Sequence, residues 1–134
     1  MVMKAKLITL SCVLLLAGCV FDHGIEWRSG SYGLVWVDLP DEVSLSYDMG
    51  NGAWATVVEP SVFAVGANGR YVVAQQHPRG DKRITSYFIV DVRAGAPKGD
   101  SKDGVIGPLT EREFETKAAT LPLPPFTKIL DSVR

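Results

Sequence analysis

The chain has 134 residues and is nearly balanced in charge, with 14 Lys and Arg against 15 Asp and Glu. A nucleic-acid-binding domain is usually clearly basic, so this balance argues against nucleic acid as a partner. The hydrophobic fraction of 46% is that of a globular protein and excludes an intrinsically disordered one. The length suits a single domain.

An export signal is predicted over residues 1–18. Lys4 and Lys6 form a short basic start, and a mostly apolar run follows from Leu7 to Leu16. That run suits the core of a signal peptide and is too short for a stable transmembrane helix. Removal of this segment would take away two cations and no acid, and the mature net charge would then be −3.

The signal ends in Leu16-Ala17-Gly18-Cys19, which resembles the lipobox of bacterial lipoproteins at all four positions. The resemblance implies cleavage between Gly18 and Cys19, a diacylglycerol thioether on Cys19, and a further acyl chain such as palmitate on its amine. Several acyl chains give durable membrane anchoring. Because Val20 rather than aspartate follows, the resemblance favours the outer membrane facing the periplasm, if the host is Gram-negative.

Cysteine usage in the mature chain follows from this interpretation. Cys12 leaves with the signal and Cys19 carries lipid, so no free thiol remains. The sequence therefore predicts no disulfide, no thiolate metal site and no cysteine nucleophile. It also predicts no cofactor.

The mature chain is predicted to divide into a lipidated tether over 19–31 and one globular domain over 32–134. The tether contains Gly24, Ser29 and Gly30 with scattered charge, a composition typical of a flexible linker. Period-two patterns and turn signals such as Asn51-Gly52 predict about six short strands between Tyr32 and Val92. They are Gly33–Val37, Val43–Tyr47, Trp54–Val58, Val62–Val65, Arg70–Gln76 and Ile84–Val92.

After these strands, the glycine-rich segment 94–107 is predicted to be a mobile loop. Thr110 and Glu113 then match a capping box, which predicts a helix over 111–120. Farther on, the apolar residues of 126–133 have the spacing of one or two helical turns. The predicted fold is mainly β (α+β): a small antiparallel sheet or sandwich-like meander with one short C-terminal helix.

Three segments together also resemble a family of small bacterial lipoproteins of unknown function. They are Gly69–Gln76, Tyr87–Asp91 and Gly107–Phe114. The resemblance covers about 62–121 and supports a β-rich fold. It implies no activity.

A charged loop is the candidate site for binding a partner: His77, Arg79, Asp81, Lys82 and Arg83. Arginine-rich loops suit carboxylate or phosphate recognition, although a plain solvated hairpin loop has the same composition. His23 between Asp22 and Glu26 could clasp a metal weakly, but a flexible tether would lose much of the binding energy to ordering. Residues 100–104 resemble a calcium loop only faintly. No metal site is predicted.

Aromatic residues concentrate in the first half of the chain, where they fit either a core or a binding face: Trp27, Tyr32, Trp36, Tyr47 and Trp54. Signatures of serine nucleophiles are absent, and no assembled catalytic set is visible. We therefore expect a non-catalytic envelope lipoprotein that binds an envelope protein or has a structural role. The alternatives are an immunity or inhibitor lipoprotein that neutralises a periplasmic toxin or hydrolase, and a protein that binds glycans or small ligands.

Overall fold

A computed structural model describes residues 23–134, which contain nine strands and one α-helix. The strands are β1 His23–Ser29, β2 Tyr32–Val37, β3 Ser44–Gly50, β4 Ala53–Val58, β5 Val62–Ala67, β6 Tyr71–Gln76, β7 Ser86–Asp91, β8 Val105–Leu109 and β9 Lys128–Ile129. The helix α1 is Glu111–Ala118. Within the described range, no helix is both long enough and apolar enough to cross a membrane.

The strands form two antiparallel sheets from two successive stretches of chain. The N-terminal sheet has the order β1-β2-β3-β4, and the C-terminal sheet has the order β8-β7-β6-β5-β9. Short turns join several sequential neighbours, as at Asn51-Gly52, where both residues have positive φ (56° and 78°). This backbone twist matches that of the flanking strands, which is why Asn-Gly is a strong hairpin signal. The chain passes from the N-terminal sheet to the C-terminal sheet through one short connection, residues 59–61.

The molecule has three layers because the C-terminal sheet is covered on both faces. One face packs on the N-terminal sheet through buried residues that include Leu34, Leu45 and Val72. Alternate residues of β6 and β7, Val73 and Ile89, point the other way into a second apolar cluster. Phe114 of α1 and the chain that follows the helix cover this second cluster.

The predicted fold class is confirmed, and the six predicted strands correspond to β2 through β7. The capped helix also forms: Thr110 Oγ1 accepts a hydrogen bond from Glu113 N at 3.2 Å. Glu113 Oε1 in turn accepts one from the Thr110 hydroxyl at 3.0 Å, so the two side chains bond to each other. The strand count was too low, because β1, β8 and β9 were not predicted.

The first difference concerns the predicted tether. Residues 23–29 form β1, so this part of the predicted tether belongs to the folded domain. Gly24 was interpreted as a sign of flexibility, but a side chain there would overlap the ring of Trp36. Trp27 packs against the core, and Gly30 makes the turn into β2. Residues 1–22, with the predicted signal and Cys19, lie outside the described range.

The other differences lie near the C-terminus. The predicted loop 94–107 ends in β8, since Val105 and Ile106 pair with β7 despite the glycines around them. The predicted helical turns of 126–133 form only in part: β9 adds to the edge of β5, and Leu130 N then donates to Phe63 O at 2.7 Å. One turn follows, in which Arg134 N donates to Leu130 O at 3.0 Å. Leu130 and Val133 are buried, and this packing decides the conformation over local spacing.

Candidate functional site

The loop predicted to bind a partner follows β6, and its first residue is part of the core. His77 is only 5% exposed, and its ring stacks on Phe63 with a centroid separation of 4.2 Å. His77 Nδ1 donates to the carbonyl of Ile84 at 2.9 Å, which closes the loop on itself. His77 therefore positions the loop and does not present its ring to solvent.

The charged side chains of the loop face outward. Arg79 stands at the tip with a positive φ of 55°, and Lys82 is exposed and reaches the main-chain oxygen of Arg134 at 3.3 Å. Arg83 binds both carboxylate oxygens of Asp81 at 2.9 Å, although its side chain is 88% exposed. Hydrogen bonds from the side chain and the main chain of Arg83 lower the pKa of Asp81. Asp81 therefore stays ionised and orients Arg83.

A cleft of about 320 Å³ opens between the two sheets, where β4 faces β7 and β8. Its walls are largely apolar and include Val57, Val58, Phe88, Val105 and Pro108. Lys102 closes one side, because its ammonium donates to the main-chain oxygens of Thr56 at 3.3 Å and Val57 at 3.4 Å. Gln76 lies at the other side and donates to the carbonyls of Glu59 and Pro60 at 3.0 and 3.3 Å.

A second hollow, of about 520 Å³, adjoins this cleft. Glu59 and Gln76 line both, so the two openings form one surface. The second hollow is bounded by the charged residues Asp41, Glu42 and Arg79 of the loop. We call the cleft and the hollow together the binding face. Apolar walls with a charged rim are the usual construction of a protein-binding surface.

The aromatic residues of the first half of the chain fit either a core or a binding face, and the structure divides them between the two. Trp27, Tyr32, Trp36 and Tyr47 pack into or against the core. Trp54 lies on the outer face of the N-terminal sheet, where it covers Gly33 and where the guanidinium of Arg28 is 5.4 Å from its ring centre.

A shallow hollow of about 540 Å³ runs beside Trp54. It is lined by outer residues of β1 and β2, Ile25 and Val37 among them, by the turn between β3 and β4, and by one carboxylate, that of Asp48. Arg28 Nη2 binds Asp48 at 2.7 Å. The hydrogen bond from Gly50 N and this contact with Arg28 lower the pKa of Asp48. The hollow thus combines an aromatic face with an ion pair.

Metal-ligating side chains do not converge in the part of the chain that the structure describes: no three His, Cys, Asp or Glu there could hold an ion. His23 and Glu26 belong to β1, and Glu26 accepts a hydrogen bond from Trp36 Nε1 at 3.0 Å. Asp22, the third residue of the weak metal hypothesis, lies outside the described range.

The structure thus brings together only part of the predicted site. Arg79 lies on the rim of the binding face, whereas Arg83 pairs with Asp81 away from its lining residues. Sequence reasoning missed the cleft because β8 was assigned to a loop. The apolar residues Val105, Ile106 and Leu109 were the available signal.

These observations define the class of the protein as a small antiparallel β-sandwich with one helix packed on its C-terminal sheet. A family model described as a protein of unknown function (DUF3997) matches residues 29–131, and the chain belongs to that family. No curated protein and no solved structure matches the chain.

Proposed function

We propose that this protein is a lipid-anchored lipoprotein of the bacterial cell envelope whose β-sandwich binds a second envelope protein without catalysing a reaction. The anchor is supported by the lipobox-like sequence Leu16-Ala17-Gly18-Cys19 after a basic and apolar start. If the host is Gram-negative, Val20 favours the periplasmic side of the outer membrane.

The observation that carries the binding role is the binding face itself. Its apolar cleft is wide enough for side chains of a partner, and Glu42, Arg79 and Lys102 offer both signs of charge around it. Buried apolar contacts supply most of the affinity in such interfaces, while rim charges determine orientation and partner choice. Arg79 is available to contact a partner because the hydrogen bond from buried His77 to Ile84 fixes the loop that carries it.

The anchor is tested by comparing Cys19→Ser with Cys12→Ser, a matched change inside the predicted signal. We expect Cys19→Ser to abolish incorporation of an alkyne-labelled fatty acid and to move the protein from the membrane pellet to the soluble fraction. Cys12→Ser should leave both unchanged. A Cys19→Ser protein that stays in the pellet would rule out lipid as the anchor.

The binding role is tested by photo-crosslinking in intact cells. A photoreactive amino acid is placed in turn at Arg79 on the binding face, at Asn51 beside the Trp54 hollow, and at Glu115 on the exposed side of α1 as control. One dominant protein adduct at Arg79, missing at Glu115, is the expected result. Equal, diffuse labelling at all three positions would contradict a specific binding face.

The identity of the captured protein distinguishes a general envelope partner from the target of an immunity or inhibitor lipoprotein. An immunity or inhibitor lipoprotein would capture a toxin or hydrolase through the Arg79 loop, and deletion of the gene would sensitise cells to that toxin. Arg79 supports this version because it stands at the tip of a short loop held by buried His77.

Glycan or small-ligand binding is the second candidate, and the Trp54 hollow favours it. An aromatic face beside the Arg28–Asp48 pair is suited to stack on a sugar ring and hydrogen-bond its hydroxyls. Trp54→Ala should then abolish retention of the protein on purified envelope glycan, whereas Trp36→Phe, inside the sandwich, should retain it. Equal retention of both variants would count against this candidate.

A further inference from the structure

The first described strand begins only four residues after the cysteine proposed to carry lipid. A fully extended chain spans about 3.6 Å per residue, so the Cα atom of His23 can be at most about 14 Å from that of Cys19. This bound rests on the proposed lipid anchor. If the anchor is correct, the His23 end of the N-terminal sheet must lie close to the membrane surface.

The neighbouring strand ends at the same place and turns sharply. β1 and β2 are antiparallel, and His23 is paired with Val37, the last residue of β2. Leu39 N donates to Val37 O at 2.8 Å across Asp38, whose φ is 67°. A hydrogen bond between residues i and i+2 around a left-handed non-glycine residue is an uncommon and strained γ-turn. The turn holds Leu39 outside the sheet.

This end of the sheet exposes three large apolar side chains. Ile25 is 49% exposed, Val37 is 56% exposed and Leu39 is 54% exposed. Register places Ile25 opposite Val35 and His23 opposite Val37, so Ile25 and Val37 belong to the same outer face. The other large apolar residues that are similarly exposed, such as Met49, lie elsewhere. We call Ile25, Val37 and Leu39 the apolar end patch.

The charges around the patch indicate which lipid surface it suits. Asp38 lies between Val37 and Leu39 in the chain, and Asp41 and Glu42 follow them. Two cations lie near these residues. Arg28 lines the Trp54 hollow with Ile25 and Val37 but is paired with Asp48, and Arg79 lines the second hollow with Asp41 and Glu42. An anionic membrane would repel this end, since juxtamembrane attraction to anionic lipids depends on clustered cations. Zwitterionic headgroups present ammonium groups that can pair with these carboxylates, while the apolar side chains enter the interface.

We propose that the apolar end patch rests on the zwitterionic lipid surface that holds the acyl chains of Cys19. The short connection brings the patch to that surface, the strand register directs Val37 outward, and the turn places Leu39 beyond the end of β2. The domain is thereby held in one orientation. Asp41 and Glu42 also bound the second hollow of the binding face, so in this orientation that hollow suits a partner that lies at the same membrane surface.

The test uses the full-length, lipidated protein in phosphatidylcholine vesicles. A nitroxide label is attached after Val37→Cys, after Leu39→Cys, or after Met49→Cys. Met49 is a matched control: it is apolar, 48% exposed and located at the opposite end of the same sheet. The introduced cysteine is the only free thiol if Cys12 is removed and Cys19 is lipidated. Collision rates with oxygen and with a water-soluble nickel chelate report the location of each label.

We expect several-fold lower nickel accessibility at positions 37 and 39 than at 49, with oxygen accessibility retained, and no gain from phosphatidylglycerol in the vesicles. Equal nickel accessibility at all three labels in protein that floats with the vesicles would overturn the orientation and leave the anchor intact. A reduction in nickel accessibility that requires phosphatidylglycerol would contradict the proposal that the patch rests on a zwitterionic surface. Protein that does not float would overturn the anchor itself, and this inference with it.

Discussion

Gly66 lies on β5 beneath the chain that returns after α1. The carbonyl group of Pro125 occupies the space where a side chain at position 66 would begin, and the Cα atom of Phe126 lies just beyond. Both obstacles are main-chain atoms, which cannot turn aside as a flexible side chain does. Close packing of this segment on the C-terminal sheet therefore depends on the absence of a Cβ atom.

Gly66→Ala should destabilise the domain by about 2–3 kcal/mol, because overpacking forces the backbone of the returning segment to shift. The free energy of unfolding from urea titration measures this. Gly69→Ala is the matched control, since nothing lies within 4 Å of its added carbon. We expect Gly69→Ala to change stability by less than about 0.5 kcal/mol. An equal loss in both variants would show that the contact with Pro125 is not the cause.

At the scale of elements, α1 depends on its cap. Thr110 Oγ1 accepts from the main-chain N–H of Glu113, which otherwise has no partner within the helix. Thr110→Ala should cost about 1 kcal/mol, the usual value for loss of an N-cap. The thermal unfolding midpoint reports the change.

Thr116→Ala provides the comparison for this prediction. Thr116 is inside the same helix, and its hydroxyl donates to the carbonyl of Arg112 at 2.9 Å. Alanine has the higher helix propensity there, so this variant should be neutral or slightly stabilising. A loss at Thr116 as large as that at Thr110 would argue against a specific role of the cap.

Residues 128–133 at the C-terminus are predicted to stabilise the domain through core packing. Leu130→Ala should destabilise the domain by about 2–5 kcal/mol, because it leaves a cavity next to Phe63 and Val133. Ile129→Ala, one residue earlier in β9 and 44% exposed, should cost about 1 kcal/mol or less. Equilibrium denaturation of both variants separates the two effects. Similar small losses would mean that the segment does not stay docked.

The elements that the sequence predicts are those set by local chemistry. Period-two alternation and Asn51-Gly52 identify β3 and β4 because neighbouring residues along the chain decide them. The sequence did not predict β1 and β8, because each contains a glycine that suggested a flexible segment. Tertiary contacts explain both glycines: Gly24 lies under Trp36, and a side chain at Gly107 would overlap Phe88. Pairing with a neighbouring strand overrides local composition in both.

The candidate site was predictable to a similar extent. Charge patterning found the Arg79 loop, since solvated charges are visible in the sequence itself. The burial of His77 against Phe63 and the cleft between β4 and β8 depend on residues far apart in the chain. No local pattern reports such contacts.

Across the whole molecule, three aspartates share one electrostatic arrangement. Asp48, Asp81 and Asp91 each accept hydrogen bonds from an arginine, and main-chain N–H groups assist. At Asp91, for instance, hydrogen bonds from the side chain and the main chain of Arg93 lower the pKa below its ordinary value of 3.8. The folded state then binds fewer protons than the unfolded state, so stability should be lost as pH falls below about 4.

Asp91→Asn tests this dependence. The variant should be less stable than the parent at pH 7 but should lose less stability between pH 7 and pH 3, because one carboxyl group with a lowered pKa has been removed. Urea midpoints at the two pH values measure both effects. Asp100→Asn, at an exposed position in the segment before β8, should keep the parental pH dependence. An unchanged acid sensitivity in Asp91→Asn would contradict the assignment.

The contact of Lys102 with the carbonyls of Thr56 and Val57 has a consequence for how copies of the protein coexist. β4 is an outer strand, and unpaired carbonyls on such strands invite another chain to add edge to edge. Anchoring to lipid would confine copies to two dimensions and raise their rate of encounter. By placing a charge on those carbonyls, Lys102 blunts this edge against pairing with the same edge of a crowded neighbour.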